Sequence, residues 1–121
     1  VLKTPFDFTK FKKIGKEINT DHEQLKIGKG YDHCFVLNKN SSVAAELSSE
    51  ASGRKLIIST NQPGIQFYSG NHLSGFFNKN QGLCLETQHF PDSPNNNSFP
   101  TTKLIANKEY YSETIYFFDV I

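Results

Sequence analysis

At 121 residues the chain is long enough for one domain but short for most enzymes that enclose a substrate. Thirteen lysines and arginines against twelve aspartates and glutamates leave a formal net charge of +1, which excludes the basic footprint of a nucleic-acid binder and an acidic solvating tail alike. Eleven phenylalanines and five tyrosines, with no tryptophan or methionine, predict an aromatic-rich core.

The opening "VLKTPFDF" is charged and interrupted by Pro5, unlike a signal peptide, and no apolar run approaches the roughly 20 residues that a membrane helix needs. A soluble, cytoplasmic protein with no membrane partner is expected. There is no initiator methionine, and Val1 and Leu2 are apolar with nothing before them to pack against, so the start reads as the continuation of a longer chain. From Thr9, a possible cap, the apolar positions Phe11, Ile14 and Ile18 fall at helical spacing and predict a short helix over residues 10–19. The polar, glycine-marked "NTDHEQLKIGKGYDH" is expected to be a long loop that delivers Tyr31, Asp32 and His33 to the strand "CFVLN".

Strand patterns then take over. "SVAAELSS", "RKLIIST", "IQFYSG", "GLCLETQHF", "TKLIAN" and "YYSETIYFFDVI" are rich in β-branched and aromatic residues and are separated by glycine, proline, asparagine or serine clusters. Gly53 in "EASGRK" stands where a hairpin needs positive φ, and "ANKEY" gives a second turn before the last strand. Apolar positions of both parities predict an all-β, antiparallel sandwich with one short helix near the amino terminus. "FPDSPNNNSFP" is a proline-framed loop of the kind that lines sites.

Cys34 and Cys84 lack the close spacing of a zinc site or redox pair and are expected to be free, buried thiols. In "GLCLETQHF", strand alternation puts Leu83, Leu85 and Thr87 on one side and Cys84, Glu86 and Gln88 on the other. Glu86 is therefore not expected on the solvent side of a simple edge strand. A carboxylate among apolar residues must be paired, hydrogen-bonded or at the floor of a wet cleft. Two readings stay open for it: a salt bridge to Arg54 or a lysine, or chemistry. In "NQPGIQFYSGN", Gln66 is a polar group on a strand near Gly64, a glycine that leaves room for a ligand or another backbone, and its amide suits sugar hydroxyls. Asp32 and His33 are adjacent on an extended segment and point to opposite faces, which argues against a shared metal; one of them facing the core to cap a turn is the alternative to function. His72 and His89 lack ligand spacing. There is no phosphate-cradling glycine loop, no nucleophile elbow and no Cys/His pair, and carboxylates with amides on a sheet face leave carbohydrate as the natural ligand class.

"GYDHCFVL", "SGRKLIISTNQPGIQFYSGN" and "GLCLETQHFPDSPN", in this order and with these gaps, closely resemble the carboxy-terminal part of the aldose 1-epimerases, the galactose mutarotases. "TPFDFTKFKKIG" and "YYSETIYFF" extend the likeness to nearly the whole chain. The resemblance implies that residues 1–121 are the carboxy-terminal segment of a single mutarotase-like β-sandwich domain, which interconverts the α and β anomers of free aldohexoses such as galactose and glucose, without a cofactor or metal. It further implies that the glutamate of "LETQ", Glu86, is the catalytic base, and that Asp32 and Gln66 bind sugar hydroxyls.

In that family the general acid is a histidine from an earlier segment, and no motif of this chain corresponds to it; His33, next to the aspartate, does not take that role. The partners implied are an aldohexose and the upstream part of the same enzyme, with no nucleic acid. A noncatalytic sugar-binding sandwich is the first alternative. A sugar-phosphate 1-epimerase relative is the second, and it would need a cationic phosphate pocket although Arg54 is the sole arginine.

Overall fold

The computed structural model describes residues 1–121. Six strands follow one short helix in chain order: α1 (Glu23–Gly28), β1 (Asp32–Val36), β2 (Ala45–Ser49), β3 (Arg54–Thr60), β4 (Gly64–Tyr68), β5 (Cys84–Gln88) and β6 (Thr114–Val120). They form two three-stranded sheets, ordered β1-β4-β5 and β2-β3-β6. The all-β expectation with a single short helix holds.

The chain makes two compact units, Val1–His33 with Phe67–Leu85, and Cys34–Gln66 with Glu86–Ile121. The first is built around Tyr31, whose side chain is fully buried. Phe6 and Phe8 meet its ring edge-on at 5.7 and 5.2 Å, and Phe67 stacks on it at 5.2 Å. This cluster explains why an unbroken aliphatic core is not needed here: three rings around a fourth supply large apolar contact in the edge and offset arrangements their quadrupoles favour. The Tyr31 hydroxyl donates to the Pro5 carbonyl at 3.0 Å, and burial, aided by the Glu17 carboxylate, pushes its pKa up to about 12. Lys12 lies 4.5 Å over the Phe8 ring, donates to the Pro5 carbonyl and pairs with Glu17, so its stem covers the cluster while its charge stays neutralised.

The second unit centres on Ile58, fully buried in β3. β3 pairs antiparallel with β2, from Ala45 opposite Ile58 to Ser49 opposite Arg54, and with β6, from Arg54 opposite Val120 to Thr60 opposite Thr114. The β2–β3 turn closes with Gly53 at φ 67°, its N–H donating to the Ser49 carbonyl at 2.8 Å, so the glycine supplies the left-handed backbone the hairpin was expected to require. Gln62 follows β3 and is buried; its amide donates to the hydroxyls of Tyr110 and Ser112, both at 2.8 Å, which fastens the segment entering β6.

Three expected elements differ. Residues 10–19 contain only a single 3-10 turn, Ile14–Lys16, whose N-cap residue Lys13 makes no side-chain capping bond. Phe11, one of the periodic apolar positions, is exposed, and Gly15 interrupts the run, so no packed face holds a helix there. The helix forms instead inside the expected loop. His22 caps it by accepting from the Gln24 N–H at 3.2 Å, and Lys29, at φ 55°, ends it with its N–H turned back to Leu25 and Lys26. Finally, "TKLIAN" is not a strand: Leu104 and Ile105 are exposed and the segment pairs with nothing regular before the turn at Asn107.

Candidate active site

The sheet β1-β4-β5 carries all three residues singled out from the sequence. Two backbone hydrogen bonds bracket β1 and β4 as an antiparallel pair: the Ser69 N–H donates to the Tyr31 carbonyl at 2.9 Å, and the Leu37 N–H to the Pro63 carbonyl at 3.0 Å. This register sets Cys34 opposite Gln66 and Asp32 opposite Tyr68. A Cβ added at Gly64 would meet the Cys34 sulfur at 3.0 Å and the Phe90 ring at 3.1 Å, and Cys34 also hydrogen-bonds the Gln88 side chain. Because alternate residues share a face, Cys34, Gly64, Gln66, Glu86, Gln88 and Phe90 lie on one side of the sheet in the second unit. Asp32 belongs to the first unit.

The opposite side is the core side. Ile65 and Phe67 are buried there, and Thr87 reaches the hydroxyl of Thr114 in β6 at 2.6 Å. The alternation expected for "GLCLETQHF" is the one observed. The space at Gly64 is not left for a ligand, however: the Cys34 sulfur and the Phe90 ring occupy it.

Glu86 is exposed, on a strand that forms one edge of its three-stranded sheet. The expectation that it does not face solvent on an edge strand is therefore corrected, and so is the salt-bridge reading. The ion pairs Lys12–Glu17, Lys26–Asp21 and Lys55–Glu46 leave Glu86 out, and Arg54 sits at the start of β3 in the other sheet. Gln66 is half-buried and Asp32 is exposed. Both cysteines are free as expected, but only Cys34 is partly buried, where burial pushes its thiol pKa up; Cys84 is exposed.

A polar network that the sequence did not announce holds the backbone of Tyr31, the residue before Asp32. Asn71, buried, donates to the carbonyls of Gly28 at 2.8 Å and Tyr31 at 2.9 Å, and its Oδ1 accepts from the Ser69 hydroxyl at 2.6 Å. Ser69 Oγ in turn accepts from the Tyr31 N–H at 3.0 Å, and Asn80 donates to the Ser69 carbonyl at 2.6 Å. The role of Ser69 and Asn71 depends on the approach of residues 28–31, which are about 40 positions away in sequence. His33 packs edge-on against Phe6 at 4.6 Å, and its Nδ1 accepts from the Asp32 N–H at 2.9 Å. Burial holds its pKa below the ordinary histidine value, an effect the Asp32 carboxylate opposes and His22 reinforces. Of the alternatives left open at Asp32–His33, the histidine is the one turned inward.

An apolar pocket of about 180 Å³, lined by Tyr68, Leu73, Phe77, Leu83 and Cys84 among others, includes none of Asp32, Gln66 and Glu86 and offers a sugar few hydroxyl partners. No group of three or more His, Cys, Asp or Glu side chains is placed to hold a metal ion. No helix is long and apolar enough to cross a membrane.

The family model described as aldose 1-epimerase matches residues 1–117. The chain belongs to the aldose 1-epimerase family. It is 38% identical to the galactose mutarotase of Rattus norvegicus over 97% of its own length and 36% of that protein's, and 39% identical to the aldose 1-epimerase of Escherichia coli strain K12 over 98% of its length and 37% of that protein's. Among solved structures, the galactose 1-epimerase of Lactobacillus acidophilus NCFM superposes with a TM-score of 0.62 at 37% identity, over 72% of this chain and 28% of the other. The aldose 1-epimerase segment described here thus spans about a third of the length of the curated relatives it matches.

Proposed function

We propose that this chain supplies the base and part of the sugar-binding surface of an aldose 1-epimerase that interconverts the anomers of free aldohexoses such as galactose and glucose. The observation that carries the reading is Glu86 in a chain of this family: an exposed carboxylate on β5, bound to no cation, on the same sheet face as Gln66. A carboxylate with no structural partner is available for proton transfer. In this reading Glu86 takes the proton of the C1 hydroxyl as the C1–O5 bond breaks and the ring oxygen gains a proton. Rotation about C1–C2 then presents the other face of the aldehyde, and reversal of the same two transfers closes the ring. A positioned base contributes roughly 10²–10⁴-fold to such a step.

Asp32 and Gln66 are the hydroxyl ligands of this reading, the first as an acceptor and the second as donor and acceptor together. The resemblance assigns the acid to a histidine outside the 121 residues. The resemblance gives His33 no such role, and its ring lies edge-on against Phe6. The upstream part of the enzyme is accordingly the proposed protein partner, and residues 1–121 the carboxy-terminal segment of one β-sandwich domain. No cofactor is needed for the steps described. A cytoplasmic location completes the reading, supported by the two free thiols.

The test is a chimera in which residues 1–121 replace the matching segment of the Escherichia coli aldose 1-epimerase, assayed by polarimetry on fresh α-galactose. Mutarotation that disappears with Glu86→Gln while galactose still binds supports the assignment. A chimera that binds galactose and turns over equally well with Gln at this position overturns it.

A further inference from the structure

We propose that β6 is the docking strand of this segment: the upstream part of the same enzyme adds a β-strand along its outer edge and covers its two apolar faces. The proposal rests on the reading of residues 1–121 as the carboxy-terminal segment of a larger sandwich and names the surface by which that segment joins the rest.

The argument starts from a mismatch between what β6 is made of and where it stands. "TIYFFDV" holds an unbroken apolar run, the composition of a strand covered on both faces and paired on both sides. Yet β6 is the last strand of the sheet β2-β3-β6 and pairs with β3 alone. Phe118 lies opposite Leu56 and so on the same face as Ile58, which is fully buried, but Phe118 is 76% exposed and Val120, on that face too, 75%. On the other face Ile115 and Phe117 are 53% and 55% exposed.

The two edges of the sheet are built differently. At the opposite edge, β2 presents Glu46, Ser48 and Ser49 to solvent, the polar dressing that discourages a further strand. β6 has no lysine or proline, and its register with β3 runs unbroken from Arg54 opposite Val120 to Thr60 opposite Thr114, so no bulge twists its edge away. The ladder is bracketed by the Asn61 N–H donating to the Glu113 carbonyl at 3.2 Å and the Ile121 N–H to the Gly53 carbonyl at 2.9 Å. Alternation between these bonds turns the N–H and C=O of Ile115, Phe117 and Asp119 toward β3, and those of Phe118 and Val120 toward the outer edge. The Val120 N–H is met there by the carboxylate of its neighbour Asp119, at 2.8 Å, in place of a strand carbonyl.

The occupant follows from what must be covered. A second copy of this chain, paired edge to edge, extends the sheet in its own plane and leaves both faces of β6 as open as before. The edge and the faces together need a strand with a layer behind it. The matched segment is 36% of the Rattus norvegicus galactose mutarotase and 37% of the Escherichia coli aldose 1-epimerase, so the remainder of such an enzyme has the bulk to supply both.

Phe117 and Phe118 give the test its probes, because their adjacent amides point to opposite edges of one strand. The sample is the chimera with the Escherichia coli enzyme, isotopically labelled in its phenylalanine amides only, and the measurement is hydrogen exchange by NMR, corrected for intrinsic rates. A docked strand predicts that the Phe118 amide exchanges within about tenfold of the Phe117 amide. A Phe118 amide faster than that in the folded chimera means an open edge and overturns the proposal. Protection of Phe118 that disappears when light scattering shows a dimer diluting to monomers assigns the edge to a second copy and overturns it as well. A second chimera in the Rattus norvegicus enzyme repeats the measurement; failure of both hosts to fold around this segment means that β6 does not fit an upstream part of this family, and is equally fatal. Polarimetry on the same samples separates this inference from the catalytic one: a protected Phe118 amide without mutarotation supports docking against catalysis, and turnover with a fast Phe118 amide removes docking alone.

Discussion

Thr87 and Thr114 share a hydroxyl–hydroxyl hydrogen bond of 2.6 Å, which ties the strand bearing Glu86 to the last strand of the other sheet. Thr114 also meets the Thr60 hydroxyl at 2.9 Å, and Thr60 donates to the Glu113 carbonyl. Glu86 and Thr87 are neighbours on β5 with side chains on opposite faces, so the core-side hydroxyl chain anchors the strand while the carboxylate remains outside.

Thr114→Val should therefore destabilise the chain by about 1–3 kcal/mol, because it keeps the shape but strips two part-buried hydroxyls of a shared partner. Thr114→Ser retains the oxygen and should recover most of that loss. Urea denaturation of the two variants beside the wild type checks this; equal stability of Val and Ser would mean that water replaces the missing partner.

Glu86→Gln should leave the stability of the chain within about 0.5 kcal/mol of wild type, since an exposed carboxylate outside every ion pair gives up nothing structural. The salt-bridge reading predicted the opposite, a loss of roughly 3–5 kcal/mol for a buried pair. A shift of the thermal midpoint comparable to that of Thr114→Val would show that Glu86 has a partner in solution.

Two glycines should respond in opposite directions to alanine. Gly30 has φ 138°, and a Cβ there would fall 2.3 Å from Asn71 Oδ1, so Gly30→Ala must both strain the backbone and break open the Asn71 network. A loss of at least about 2 kcal/mol is expected. Gly15 has nothing within 4 Å of an added Cβ and no left-handed backbone, and Gly15→Ala should stabilise by roughly 0.4–1 kcal/mol through the unfolded chain. Denaturant midpoints of both variants provide the comparison.

What could be read from the sequence was what depends on neighbours along the chain. "RKLIIST" coincides with β3, Gly53 makes its hairpin, and alternation in "GLCLETQHF" separates Glu86 from Thr87 as observed. Apolar spacing at Phe11, Ile14 and Ile18 makes no helix because Phe11 stays exposed and no side chain caps the turn there, whereas His22 caps the start of α1 and the left-handed Lys29 ends it. "TKLIAN" has β propensity, but propensity makes a strand only against a partner, and its apolar side chains face solvent. The hydrogen bonds around the Tyr31–Asp32 peptide were not legible at all. Their members, Asn71, Ser69 and His33, acquire their roles from contacts with a loop and a ring that only the folded chain brings near.

His33 should also make stability depend on pH, with a sign fixed by its environment. Its pKa in the folded chain lies below the ordinary value near 6.5, chiefly because burial disfavours the charged ring. In the window between that lowered value and about 6.5 the unfolded chain binds more protons than the folded one, so stability rises with pH there. The His33 contribution is complete above about pH 6.5 and is lost as pH falls to the folded pKa, below which both states carry the proton and the slope ends. Protonation also puts a hydrogen on Nδ1, which then can no longer accept from the Asp32 N–H, so the same acidification should release the Asp32 backbone. The difference between the wild type and His33→Asn, measured side by side, isolates the contribution of His33. Chemical denaturation from pH 8 down to about pH 5 should show the wild type losing stability more steeply than His33→Asn, together with faster Asp32 amide exchange once the intrinsic pH dependence is divided out. Parallel curves for the two chains would mean that the folded His33 titrates like an exposed histidine.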